Sequence, residues 1–90
     1  MTITRVSVRS LMLTSISVSR IRSLDEFYTS VMAQLEPSRS APRNLDGLAD
    51  VLREFHVTRI NCSSWQLSVA DAERVMHVLV DERIALVITP

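Results

Sequence analysis

Between Leu24 and Leu35 every large apolar residue falls on one helical face. Leu24, Phe27, Tyr28, Val31, Met32 and Leu35 stand at i, i+3, i+4, i+7, i+8 and i+11. That is one continuous stripe at a period of 3.6 residues, and a helix carrying it must lay it on another apolar surface. Ser23 and Glu26 form a capping-box pattern at its start, and Pro37 stops it. The segment before it follows a different period. Val6, Val8, Ile16 and Val18 alternate with polar neighbours, and β-branched residues dominate, which favours strand over helix. A strand is expected over Leu11 to Val18, with a bend near Arg9 and Ser10.

The rest of the chain repeats this change of period. Residues 37–43, Pro-Ser-Arg-Ser-Ala-Pro-Arg, read as a loop. Asn44 is a good N-cap for a second helix running to about Phe55, with Leu45, Leu48, Val51, Leu52 and Phe55 inward. His56 to Cys62 reads as a second strand, and Ser63 to Leu67 as a loop holding Trp65. Ser68 and Asp71 cap a third helix from about Val69 to Glu82, with Ala72, Val75, Met76 and Leu79 inward. Ile84 to Ile88 is unbroken apolar sequence, the pattern of a strand buried on both faces. The order β, α, α, β, α, β implies parallel pairing through crossovers. The expected fold class is α/β: one domain over residues 1–90, with a small three-stranded parallel sheet packed by about three helices.

Composition narrows the function classes. At 47% hydrophobic and 22% charged, the chain is globular in composition rather than disordered. No apolar run approaches the roughly 20 residues that cross a membrane, and residues 1–13 show no secretory pattern. Cys62 is the sole cysteine, so no intrachain disulfide can form. The expected location is cytoplasmic. Ten arginines balance ten acids with no lysine, which argues against direct nucleic-acid binding through a basic face. The charge is nevertheless uneven along the chain. Residues 1–45 hold six arginines and three acids, and residues 46–90 hold four arginines and seven acids, so the second half suits a basic partner.

Little in the sequence promises catalysis. Gly47 is the only glycine, so no glycine-rich phosphate loop can form. His56, His77 and Cys62 lie on three different elements without metal-ligand spacing. Cys62 falls within a core strand, where a thiol behaves as a small apolar group. No catalytic residue, metal site or cofactor is expected.

The informative segment is Asn44-Leu45-Asp46-Gly47-Leu48-Ala49-Asp50-Val51-Leu52. Asp46 and Asp50, four apart, share one helix face at about 5–6 Å, and Glu54 continues the line. Gly47 is costly in a helix interior, by roughly 1 kcal/mol relative to alanine. A glycine beside two aspartates points to something approaching the backbone there. The plainer reading is a solvated helix face with a tolerated glycine.

Over about residues 12–90 the chain resembles the barstar family of intracellular ribonuclease inhibitors. The resemblance is carried by Ile21-Arg22-Ser23 followed by Asp25, Glu26, Phe27 and Tyr28. It is carried also by Asn44-Leu45-Asp46 with Leu48, Asp50 and Leu52, and by a strand ending near Trp65 and a helix running into a last apolar strand. Residues 1–11 lie outside it. It implies a bacterial cytoplasmic antidote whose partner is a small secreted ribonuclease. The second helix would plug the active site, with Asp46 and Asp50 standing where RNA phosphates bind and meeting the enzyme's cationic side chains. Arg43, Asn44, Leu45, Gly47, Ala49 and Arg53 would flank them, and Asp81 or Glu82 would add a carboxylate from the last helix. Ser40, Ala41 and Pro42 replace the tyrosines and glycine usual in the family's loop, and Ala49 replaces an aromatic residue. These differences support a second expectation, an interaction protein of the same fold that no longer binds a ribonuclease.

Overall fold

A computed structural model of the chain describes residues 14–90. Six elements follow in order: β1 (Thr14–Ile21), α1 (Leu24–Leu35), α2 (Leu45–Glu54), β2 (Val57–Trp65), α3 (Val69–Asp81) and β3 (Ala85–Thr89). The strands form one parallel sheet in the order β1-β2-β3. This is the α/β architecture expected from the sequence. The N-terminal part of the expected first strand, Leu11 to Leu13, lies outside the described residues.

In β1, Ile16 and Val18 are buried while Ser15, Ser17 and Ser19 are exposed. Register carries the same division across the sheet. Ile16 pairs with Ile60 and Ile60 with Leu86, and Val18 pairs with Cys62 and Cys62 with Ile88. The intervening rows are Ser15, Arg59 and Ala85, Ser17, Asn61 and Val87, and Ser19, Ser63 and Thr89. One sheet face is therefore apolar and the other largely polar. The core on the apolar face is closed by Phe27, Tyr28 and Val31 of α1, Leu48 and Leu52 of α2, and Val75 and Leu79 of α3. No helix of the described residues is long and apolar enough to cross a membrane.

Three details differ from the sequence reading. First, β1 and β2 run to Ile21 and Trp65, so Ser63 to Trp65 is strand rather than loop. Alternation hides this because Arg20 and Ser64 both take left-handed backbone, φ 55° and 59°. They lie between the paired rows Ser19/Ser63 and Ile21/Trp65, and both strands resume pairing beyond them. Ile21 thereby becomes fully buried. Trp65 packs edge-on against Phe27, ring centroids 5.9 Å apart.

Second, β3 is an edge strand rather than one buried on both faces. With β2 in the centre, β3 has one neighbour, Ala85 is exposed, and Ile88 keeps half its surface in water. Third, Met76 points outward at 40% exposure. The inward line of α3 is narrower than its apolar sequence, because the helix covers the margin of a small sheet.

Candidate functional site

Asn44 begins α2 as its N-cap, its Oδ1 accepting the Gly47 N–H at 2.7 Å. Capping and the inward line of Leu48, Val51 and Leu52 fix the rotation of α2. Asp46 and Asp50 consequently project into solvent. Asp46 also sits in the first turn, where the helix dipole favours negative charge. Asp46 has no ion-pair partner among the described residues. Asp50 is three-quarters exposed and receives one contact, from Arg53 Nη1 to Oδ1 at 3.2 Å.

The acidic line stops there. Glu54, next in the sequence pattern, is closed by Arg39, which donates two hydrogen bonds of 2.8 and 2.9 Å to its carboxylate. The Arg39 guanidinium also lies 5.6 Å from the centre of the Phe55 ring. The hydrogen bond from Arg39 lowers the Glu54 pKa. Glu54 therefore does not extend the free stripe.

Of the two last-helix candidates, Glu82 is likewise taken. Arg53 donates from Nε at 3.0 Å and from Nη2 at 2.7 Å to its two oxygens. That fork lowers the Glu82 pKa, leaves the Glu82 side chain only 18% exposed, and ties the end of α2 to the end of α3. Asp81 stays exposed. Nothing in the sequence signals the Arg53–Glu82 pair, whose members are 29 residues apart. Arg43 is exposed beside the cap, and Ala49 is half-buried.

Gly47 has an explanation within the chain. A Cβ there would come 3.1 Å from Pro42 Cβ and 3.3 Å from Asn44 Oδ1. The group that approaches the backbone at Gly47 is the chain's own loop. Ala41, beside Pro42, packs against the core. The loop that would contact a partner is in this way partly committed to its own helix.

The remaining chemistry-bearing residues stay apart. Cys62 is buried in β2, its Sγ 3.6 Å from the Ser63 carbonyl oxygen, and burial pushes its thiol pKa up. His56 follows α2 and His77 lies on the exposed side of α3. Among the described residues no group of three or more His, Cys, Asp or Glu is placed to hold a metal ion.

A second surface was not read from the sequence. Trp65, Leu67, Val69, Ala72 and Met76, with Glu73 and His77, line an open groove of about 670 Å³ beside α3. Val69 is 77% exposed, as is 67% of Val80 farther along the helix. The signal was present in Val69, Met76 and Val80, one apolar line too far round α3 to reach the core with Val75 and Leu79.

No family model, curated protein or solved structure matches the chain.

Proposed function

We propose that this chain is a binding protein that inhibits a ribonuclease, laying α2 across a basic active site with Asp46 and Asp50 in place of RNA phosphates. The observation that carries the reading is the division of carboxylates around α2. Glu54 and Glu82 are held by two-pronged guanidinium contacts, while Asp46 and most of Asp50 remain open to water on adjacent turns. Two carboxylates borne on Cβ atoms about 5–6 Å apart on one helix face suit adjacent phosphate-binding cations in charge and spacing. The helix is held by its cap and by three buried side chains, so little ordering cost attends binding. The small α/β fold with its three-stranded parallel sheet supports the reading as far as the fold. No catalytic group and no cofactor enter the proposal, and its place of action is the cytoplasm.

The test is inhibition of a panel of small secreted ribonucleases, followed by titration of variants. Asp50→Ala should raise Kd more than tenfold, about 1.4 kcal/mol, with Asp46→Ala similar. Glu73→Ala, on the exposed side of α3, should change Kd less than twofold. Equal small effects from all three variants, or no inhibition anywhere in the panel, overturn the reading.

A second reading is an interaction protein of this architecture without ribonuclease binding. It is favoured by the packing of Pro42 on Gly47, which occupies the loop internally, and by the apolar groove beside α3. It predicts a binding partner whose capture is abolished by Met76→Glu and unaffected by Asp50→Ala.

A further inference from the structure

The Arg53 guanidinium sits between two carboxylates and is shared unequally. It grips Glu82 with Nε and Nη2 at 3.0 and 2.7 Å, and reaches one oxygen of Asp50 with Nη1 at 3.2 Å. Asp50 is the central residue of the proposed binding face, so a cation of a partner must compete there with a cation already present. How strongly Arg53 competes depends on how firmly Glu82 holds it. A planar guanidinium forked onto one carboxylate offers a second only its remaining N–H groups. Without Glu82, the same side chain would be free to turn its full fork onto Asp50, three residues back on the same helix.

We infer that Arg53 is an internal competitor for Asp50 and that Glu82, from α3, holds it partly away, so that this pair sets how strongly the α2 face takes a partner's guanidinium. The inference rests on the reading of α2 as the binding face. Glu82 then serves binding indirectly, as a positioning residue for Arg53, while Asp46, which Arg53 does not reach, is unaffected by the pair. Arg53 and Asp50, whose contact is the one affected, are largely exposed, so the effect is modest, about two- to fivefold in Kd.

Two measurements decide it, with Arg53→Met chosen to keep the aliphatic stem and with the amide spectrum checked in each variant. The first uses the free protein and follows the Asp50 side-chain carboxyl ¹³C resonance at neutral pH. Glu82→Gln should displace it when Arg53 is present and leave it in place in an Arg53→Met background. Equal displacement in both backgrounds, or none in either, overturns the inference. The second is titration with a hexa-arginine peptide at low salt. The double variant Arg53→Met with Glu82→Gln has the net charge of the natural chain and should bind the peptide about two- to fivefold more tightly. Equal affinity assigns any effect of the single variants to overall charge and overturns the inference. If Asp46→Asn and Asp50→Asn leave peptide binding unchanged, the reading of the α2 face fails, and the ¹³C measurement alone decides the role of Arg53.

Discussion

Pro42 lies against Gly47, where even a methyl group on the glycine would meet the proline ring at 3.1 Å. Two opposing effects therefore act on a side chain at this position. Glycine weakens the helix by roughly 1 kcal/mol relative to alanine, and alanine crowds the loop. Because Pro42 Cβ belongs to a ring fixed to the backbone, relief requires the loop itself to shift.

Gly47→Ala should thus gain less than the helix propensity difference, with a net change under about 0.5 kcal/mol. In a Pro42→Gly background, where the opposing Cβ is gone and only Asn44 Oδ1 stays close at 3.3 Å, the same substitution should gain more, up to about 1 kcal/mol. Urea denaturation of the four proteins, followed by fluorescence of the single tryptophan against Phe27, measures the coupling. Equal gains in both backgrounds would show that the loop yields freely.

Arg83 follows α3 in left-handed backbone, φ 58°. Its N–H donates to Val80 O at 3.0 Å, and the Ile84 N–H donates to Leu79 O at 2.8 Å. That is the hydrogen-bond pattern of a Schellman C-cap, a position that favours glycine. Arg83→Gly should stabilise the protein by about 0.5–1 kcal/mol. An unchanged or lower thermal midpoint would show that the arginine makes a compensating contact.

Glu26, Glu54 and Glu82 each accept hydrogen bonds from an arginine, Arg22, Arg39 and Arg53, and each has its pKa lowered chiefly by that bond. With a folded pKa below the unfolded one, each carboxylate contributes stability that is present above the ordinary glutamate range and lost as pH falls through the folded value. Stability should therefore be level near neutrality and decline below about pH 4.3. Because all three pairs lie at the surface, added salt should shrink the decline. Urea midpoints measured from pH 7 to pH 3 in the natural chain and in Glu54→Gln test this. The variant should show the shallower fall.

Leu48 is fully buried on the inner side of α2, opposite the proposed binding face. Leu48→Ala should cost about 2–5 kcal/mol by opening a cavity between α2 and the sheet. Chemical denaturation gives the value directly. A cost below 1 kcal/mol would mean that α2 is loosely seated and that the face it carries is not preorganised.

The six elements were legible because their periods are local. The stripe of α1, the cap at Asn44 and the inward line of Leu48, Val51 and Leu52 can each be read from a dozen residues. They settle which way Asp46 and Asp50 point, since a helix with one buried side has no freedom in what it exposes. Other features depend on residues distant along the chain. Alternation in β1 and β2 breaks at Arg20 and Ser64, and only their alignment in neighbouring strands restores the pairing beyond them. Ile84 to Ile88 carries the composition of a buried strand, and sheet order alone makes it an edge. The tertiary structure also decided which carboxylates remain free. Arg39 reaches Glu54 across the loop and Arg53 reaches Glu82 across two helices, because salt bridges form between side chains that packing brings within 4 Å, and helical spacing predicts only those within one helix.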